Sequence, residues 1–180
     1  MIQVIEKRKI LNPFEIENGV LVKFTNTDFT TIKIPNDVTI IKSFAFHNCT
    51  ELTSITIPNS VTYIGDYAFY GCTGLTKITI PNSVKRIGYH AFEDCTGLTE
   101  ITISNGITSI NNGMFSGCEK LTSIKIPNSV TFIGDYAFAY CDKLTSITIP
   151  NSVTSICDFT FVNCIKLKSI KISKGINSIF

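Results

Sequence analysis

Residues 52–74 read LTSITIPNSVTYIGDYAFYGCTG, and residues 75–97 follow directly as LTKITIPNSVKRIGYHAFEDCTG. The two stretches have the same length and align without insertion or deletion. The same phase continues in copies that begin at positions 98, 121, 144 and 167, and it extends back to a copy that begins at position 29. A fixed period of this length predicts a solenoid, in which each repeat forms one coil stacked on the coil before it.

Each copy divides into a strand, a turn and a return segment. In the second copy the apolar residues of LTSITI alternate with threonine and serine, a pattern typical of a strand with one buried face. Pro58 ends this strand because proline has no N–H to donate to a neighbour. The return segment, residues 61–72, is predicted to continue the core and to contain a short helical turn capped by Asp66.

About eight of the 23 positions in a copy are apolar and are predicted to face inward, so one coil is stable only when the next coil covers it. One such column is phenylalanine, at Phe46, Phe69, Phe92, Phe115, Phe138 and Phe161. Another is cysteine, at Cys49, Cys72, Cys95, Cys118, Cys141 and Cys164. We interpret this column as small buried side chains rather than disulfides or a zinc site, since no CxxC pair is present. Cys157 lies off the column and is predicted to be the most exposed thiol.

The segment 1–28 does not fit the repeat. Two β-like runs flank the sequence ENG at positions 17–19, which predicts a hairpin that covers the apolar end of the stack. We therefore expect a capping segment at 1–28 and a solenoid at 29–180, with six full repeats and a partial seventh. The predicted fold class is an α/β-type, mostly β repeat solenoid. It has one parallel sheet of about seven strands, and its return segments are short and helical or irregular.

Composition narrows the function classes. The chain is 44% hydrophobic with a net charge of +2, so it is predicted to be folded and not to bind nucleic acid. No apolar run is long enough to insert into a membrane, and the start lacks a recognisable signal peptide, which favours the cytoplasm. The two histidines stand in non-adjacent copies and no glycine-rich phosphate loop follows a strand. We expect no enzyme activity, no cofactor and no metal.

Two surfaces are candidates for binding a partner. The outward strand positions are mostly threonine and serine with scattered lysines, including Lys33, Lys77 and Lys125. This face is either an ordinary soluble β surface or a weakly basic site for a protein or a glycan. The return side carries two columns of aromatic and basic residues: Phe44, Tyr67, His90, Tyr136 and Phe159, broken by Gly113, and Tyr63, Arg86 and Phe132. Such residues are enriched at interaction hot spots, although side chains half-buried between coils would give the same pattern.

The pattern L-x-x-I-x-I-P-x-x-V-x-x-I-G-x-x-A-F-x-x-C is nearly complete at residues 52–72, 75–95 and 121–141. It resembles the BspA-like leucine-rich repeats of bacterial and protozoan surface proteins, and the resemblance covers residues 29–180. That family implies a right-handed curved solenoid with a binding or adhesion role, and its members have been associated with attachment to host matrix proteins, host cells or other microbes. The copies depart from the pattern at Ser104 and Ser173 for proline, at Met114 and Thr160 for alanine, and at Lys42, Asn111 and Cys157 for glycine.

Three functional hypotheses remain open for a non-catalytic protein-binding module. The first is a surface adhesin that binds host or matrix proteins, as the family resemblance implies. The second is an intracellular scaffold or regulatory interaction domain, motivated by the missing leader and the column of free thiols. The third is a structural unit within a longer chain. The cell surface is the location implied by the resemblance, and the sequence leaves the oligomeric state open.

Overall fold

The computed structural model describes residues 12–25, 28–172 and 178–179, and every structural statement refers to these residues. We number the coils from the repeat: coil 1 is 29–51, coil 2 is 52–74, coil 3 is 75–97, coil 4 is 98–120, coil 5 is 121–143, coil 6 is 144–166, and coil 7 begins at 167. Each coil crosses a strand face and returns across a second face. The strand face contains β3 (Thr31–Lys33), β5 (Ser54–Thr56), β7 (Lys77–Ile80), β9 (Glu100–Ile103), β12 (Ser146–Ile149) and β14 (Ser169–Ile172).

The return face also forms short parallel strands, which sequence reasoning missed. They are β4 (Ile40–Ile41), β6 (Tyr63–Ile64), β8 (Arg86–Ile87), β10 (Ser109–Ile110), β11 (Phe132–Ile133), β13 (Ser155–Ile156) and β15 (Ser178–Ile179). Partners on both faces are separated by one full repeat, as in the pairs Ile32↔Ile55 and Ile64↔Ile87. Because a slip of one residue would turn each isoleucine to the opposite side, the buried pattern fixes this register. The predicted mostly β parallel solenoid is confirmed.

The core runs unbroken along the stack. Coil 3 buries eight hydrophobic side chains, each no more than 3% exposed, which confirms the estimate of about eight per coil: Leu75, Ile78, Ile80, Val84, Ile87, Ala91, Phe92 and Cys95. The phenylalanine rings of successive coils stack with centroids 5.0 to 5.8 Å apart. Because each ring contacts the rings above and below it, burial in one coil depends on both neighbouring coils.

The cysteine column is buried, as expected, and each thiol from coil 2 onward bonds to the coil before it. The Cys72 S–H donates to the Phe46 carbonyl at 3.1 Å, and the same contact recurs from Cys95 to Phe69. All the cysteines are free thiols. Burial raises the pKa of Cys95 to about 12, so this thiol stays protonated and unreactive near neutral pH. Cys157 is half-exposed, but so is Cys164 in the last member of the column.

The expectation of a helical return segment was wrong, because the described residues form no helix. Every second N–H of the return instead bonds to the next coil. In coil 1, Phe46 N–H donates to the Ala68 carbonyl, whereas His47 N–H donates locally to the Phe44 carbonyl. Asp66 does not cap a helix: its Oδ1 accepts the Tyr89 N–H of the next coil at 2.8 Å. The return is therefore a chain of turns held equally by local and inter-coil bonds.

The expectation of one continuous sheet was also wrong. The strand face divides into β3-β5-β7-β9 and β12-β14, and coil 5 contributes only a single bridge from Lys125 to Thr148. The return face divides between β8 and β10. Coil 4 lies between the two breaks and buries Met114 where most coils have alanine. The phenylalanine spacing widens there, from 5.1 Å between Phe69 and Phe92 to 5.8 Å at the next pair. On the return face the break coincides with Asn111. Its side-chain Nδ2 donates to the Ile87 carbonyl at 2.6 Å, whereas in neighbouring coils the backbone N–H groups of Gly88 and Gly134 donate to the equivalent carbonyls.

The described residues begin with the predicted hairpin of β1 (Phe14–Glu17) and β2 (Val20–Phe24). Its turn has a left-handed backbone at Asn18 and Gly19, as tight hairpin turns require. β2 pairs in parallel with β4 and so extends the return face. The Phe24 ring lies 5.4 Å from the Phe46 ring and prolongs the phenylalanine column beyond coil 1. The hairpin covers one end of the core, while the domain boundary at residues 28 and 29 stays a prediction.

Candidate binding surfaces

The first return-side column has an unusual backbone. Its aromatic members all adopt left-handed φ angles between 53° and 62°: Phe44, Tyr67, His90, Tyr136 and Phe159. Gly113 occupies the same position in coil 4 with a φ of 60°. A side chain is strained in this conformation, and a glycine is not. The position therefore suits glycine, yet five of the six coils place an aromatic ring there.

The rings of this column stack on one another outside the core. Phe44 and Tyr67 are 5.1 Å apart and nearly parallel at 2°, and Tyr67 and His90 are 4.8 Å apart at 5°. Tyr136 and Phe159 form a second stack at 5.2 Å. A Cβ atom at Gly113 would overlap the His90 imidazole, so the first stack ends against that glycine. Phe44, Tyr136 and Phe159 are 53%, 44% and 58% exposed, whereas Tyr67 and His90 are half-buried.

A second column, which sequence reasoning missed, lies beside the first stack. His47 and Tyr70 follow Phe44 and Tyr67 by three residues, and their rings stack 5.1 Å apart. Each ring also contacts the first-column ring of its own coil edge-on. The centroids of His47 and Phe44 are 5.7 Å apart, and those of Tyr70 and Tyr67 are 5.9 Å apart. We call Phe44, His47, Tyr67, Tyr70 and His90 the aromatic patch. The spacing of three residues in two adjacent copies was the available signal, since a turn brings such positions together.

The other return-side candidates are less well grouped. Tyr63 and Phe132 are half-buried, and Arg86 is exposed. Tyr63 and Arg86 are strand partners, but Phe132 pairs with two serines, so the predicted column of Tyr63, Arg86 and Phe132 does not continue through the stack. Two further exposed aromatic residues were missed, Tyr89 and Tyr140, at 46% and 50% exposure.

Acidic groups border the aromatic patch in coil 3. Glu93 Oε2 lies 3.0 Å from His90 Nδ1. Burial raises the pKa of Glu93, and the nearby imidazole opposes this by favouring the charged carboxylate. A hydrogen bond to the Asp94 carboxylate raises the pKa of Tyr70, because ionising the phenol would place two negative charges together. The patch thus combines aromatic edges with an acidic rim.

The aspartates that share a column have a structural role. Asp66 N–H donates to Ser43 Oγ, and Asp66 Oδ1 accepts from the next coil, so the contacts run from coil to coil. Asp135 repeats the arrangement, since its Oδ1 accepts the Asp158 N–H at 3.1 Å. These side chains fix the corner at which each return strand ends, immediately before the left-handed aromatic position.

On the strand face the three predicted lysines are exposed, but their surroundings differ. Lys77 pairs with Glu100 at 2.9 Å, a solvent-exposed ion pair of little energetic weight. Lys33 lies beside a shallow groove near Asn36 and Asn59. Lys125 lines a larger groove of about 720 Å³ at the break in the sheet. Its walls are mostly hydroxyl and amide side chains.

The described residues contain no group of three or more His, Cys, Asp and Glu side chains placed to hold a metal ion. Within the same residues, no helix has the length and apolarity that crossing a membrane requires. His47 and His90, the candidates for base chemistry, both have a ring face stacked on a tyrosine. The return face is thus arranged to present rings for contact.

Comparison with known proteins identifies the relatives of this repeat. A family profile described as the BspA type leucine rich repeat region matches residues 22–145 and 131–180, with six copies. A search of curated proteins found no match. Among solved structures, the chain is similar to the T. pallidum leucine rich repeat protein TpLRR, with 30% sequence identity and a TM-score of 0.81. That alignment covers 84% of this chain and 73% of the T. pallidum chain.

Two further structures are similar over a smaller share of their own length. A leucine rich cell surface protein from Faecalibacterium prausnitzii is 35% identical with a TM-score of 0.66, over 80% of this chain and 48% of its own. A leucine-rich repeat protein from Eubacterium ventriosum is 30% identical with a TM-score of 0.82, over 89% of this chain and 44% of its own. The present chain therefore spans less than half of these two proteins.

Proposed function

As the chain belongs to the BspA-type leucine-rich repeat family, we propose that it is a protein-binding module of a surface adhesin, and that it attaches to host or matrix proteins through the aromatic patch. Family membership supports the binding role in general. The name of the similar Faecalibacterium prausnitzii protein, a leucine rich cell surface protein, supports presentation outside the cell.

The observation that carries the proposal is the strained aromatic backbone. Gly113 occupies the column with the same φ as its aromatic counterparts, so the coil closes without a ring at this position. The rings of Phe44 and Tyr67 contact each other and the neighbouring histidines rather than the core. Strained residues that the fold does not require are commonly kept for contact with a ligand. Clustered, preordered aromatic side chains also match the composition of interaction hot spots.

The chemistry of the patch defines the partner that it suits. Stacking covers most ring faces and leaves ring edges outward, while Glu93 and Asp94 add negative charge at one side. A protein segment with apolar side chains and nearby lysine or arginine residues complements this combination. Because the rings are already stacked in place, binding loses little side-chain entropy.

The test is binding to immobilised fibronectin, laminin and collagen, measured by biolayer interferometry. The wild-type chain is compared with a triple variant, Phe44→Gly, Tyr67→Gly and His90→Gly. A matched control carries Tyr136→Gly and Phe159→Gly, which removes the second stack. We expect binding to at least one matrix protein, at least tenfold weaker in the triple variant and nearly unchanged in the control. Equal binding by all three proteins would contradict the assignment of the patch.

Location needs its own experiment, because an intracellular scaffold would use the same patch. Intact source cells are treated with protease, and the domain is followed with an antibody beside a cytosolic marker. We expect the domain to be digested while the marker survives. Protection of the domain until lysis would replace the adhesin proposal with the intracellular alternative.

A further inference from the structure

Lysines without an ion-pair partner gather on the strand face of the last three coils and at the corner where coils 4, 5 and 6 end. We call this surface the lysine face. It has six exposed lysines: Lys120, Lys125, Lys143, Lys166, Lys168 and Lys171. Within the described part of the chain, the ion pairs shorter than 4 Å are Lys77–Glu100 and His90–Glu93, so none involves these lysines. The strand-face charge is thus paired in coils 3 and 4 but unpaired in coils 5 to 7.

Three of these lysines form a line along the solenoid. Lys120, Lys143 and Lys166 each occupy the last position of a coil, so they recur at the coil spacing of about 4.8 Å. Contact with the Lys143 amine, together with their mutual repulsion, lowers the pKa of Lys166, and Lys168 adds to the repulsion. Glu119 and Asp142 stand at the same corner but form no ion pair with them within 4 Å. A bound anion would relieve this crowding of like charges.

The groove at the break in the sheet belongs to the lysine face, since Lys125 lines it. Its volume is about 720 Å³, and its outward polar lining is Ser123, Lys125, Asn128, Ser146, Thr148 and Asn151. The neighbouring threonine column also changes here. Thr53, Thr76 and Thr99 each donate their hydroxyl to the coil before them. No such bond links Thr122 or Thr145 to the preceding coil, although both residues are described. The last coils therefore offer hydroxyl groups with no protein partner.

We propose that the lysine face and this groove bind a linear sulfated polysaccharide that lies along the solenoid axis. Sulfate groups along the polymer would match the line of ammonium groups, and sugar hydroxyls would hydrogen-bond to the serine, threonine and asparagine side chains. Lysines supply compact point charges for such contacts. This site lies on the strand face, away from the aromatic patch, and its ligand class differs from the one proposed there.

Nucleic acid fits this surface less well. Proteins that bind single strands stack the bases on aromatic or arginine side chains. The outward strand positions of coils 5 to 7 carry only threonine, serine and lysine. An anionic membrane also fits poorly, because the exposed Ile170 and Ile172 belong to the inward strand positions of β14 and not to the outward face.

The experiment measures binding of a fluorescently labelled heparin oligosaccharide by anisotropy across a series of salt concentrations. The test variant carries Lys143→Gln, Lys166→Gln and Lys168→Gln. The control carries Lys33→Gln, Lys42→Gln and Lys85→Gln, which removes the same charge elsewhere. We expect the test variant to bind at least tenfold more weakly at low salt. Its log–log salt slope should fall by about 2, since each contact with a single-stranded polyanion contributes roughly 0.7. The control should stay within about threefold of wild type.

Three outcomes would overturn the proposal. Equal affinity of the test variant and the control would refute the site. Equal binding of desulfated heparin would refute the role of sulfate. Tighter binding of single-stranded DNA or of phosphatidylserine vesicles would refute the polysaccharide as the ligand class. Circular dichroism of both variants confirms that each is folded, so a loss of binding reports on the surface alone.

Discussion

Backbone strain in the aromatic column can be tested at Tyr67. Replacing this residue with glycine should destabilise the protein less than replacing it with alanine. Both changes delete the ring and its stacks on Phe44 and His90, at 5.1 and 4.8 Å. At about 0.5–1.5 kcal/mol per stacked pair, this loss is roughly 1–3 kcal/mol in each variant. Alanine keeps a Cβ in the left-handed region at a φ of 54°, whereas glycine does not.

Removing the Cβ from a residue in the left-handed conformation should raise the free energy of unfolding by about 1–2 kcal/mol. The Tyr67→Gly variant should therefore be more stable than Tyr67→Ala by about 1 kcal/mol. The usual order is the reverse, since glycine within regular structure is roughly 0.5–1 kcal/mol less stable than alanine. Urea unfolding followed by circular dichroism measures the difference. With a slope of about 2–3 kcal/mol per M, the midpoint of the glycine variant should lie about 0.4 M higher.

Tyr63 supplies the control, because it lies in a regular return strand of the same coil and has no positive φ. There the alanine variant should be the more stable of the two. If alanine is also the better replacement at Tyr67, the left-handed backbone is not strained. The reasoning that assigns the aromatic patch to partner binding then loses its basis.

Three further predictions concern the core and the break in the return face. In urea titrations, Phe92→Ala should lower the free energy of unfolding by about 3–5 kcal/mol, and Phe161→Ala should lower it by less than half as much. The reason is that Phe92 is fully buried between two rings, whereas Phe161 is half-buried. Equal losses would contradict the stacked core. In native protein at pH 8, a thiol reagent should modify only the half-exposed Cys157 and Cys164. After unfolding in urea it should modify all seven cysteines, and mass spectrometry counts the modified residues in each case. Asn111→Gly should slow amide exchange at the return-face break, because the backbone N–H at this position could then donate to the Ile87 carbonyl, as those of Gly88 and Gly134 do to the equivalent carbonyls. Unchanged exchange would show that another feature interrupts the sheet.

The fold could largely be predicted because the apolar residues that recur with the repeat are also the residues that the structure buries. A strict repeat with an apolar set at constant positions leaves one register that buries the inward-facing strand isoleucines of coils 1 to 6, and the structure adopts it. Burial of the phenylalanine and cysteine columns could be predicted for the same reason. Their side chains are small or flat enough to recur at the coil spacing, so sequence position alone placed them in the core.

The return segment was mispredicted although a signal was present. A second left-handed column contains Asn48, Gly71, Asp94, Gly117 and Asn163, with Tyr140 as its single aromatic member. Asparagine, aspartate and glycine are the residues that tolerate this conformation, so their recurrence argued against a helix. In the aromatic column only Gly113 gave such a hint, because rings are rare at left-handed positions. Asn111 stands where three coils have glycine, but the sequence could not show that its side chain would take the place of a backbone donor at the return-face break.

The aromatic patch was predicted only in part, since sequence identified one of its two columns. His47 and Tyr70 differ chemically and occur in only two copies, so no recurring residue type marked their column. Their contact with Phe44 and Tyr67 comes from the local turn that replaces the expected helix. Positions three residues apart would be neighbours on the expected helical turn as well, so the spacing was a usable signal although the residue types were not.

The coil-by-coil bonding described above also determines how the protein would respond to a pulling force. Each coil is attached only to its neighbours, so tension along the chain should detach coils one at a time. Each event would release the chain of one coil, about 75–80 Å when fully extended. The interrupted sheets around coil 4 would divide this process into a weaker distal segment and a more firmly paired proximal one. A molecule built in this way lengthens in steps under load and keeps its remaining coils folded.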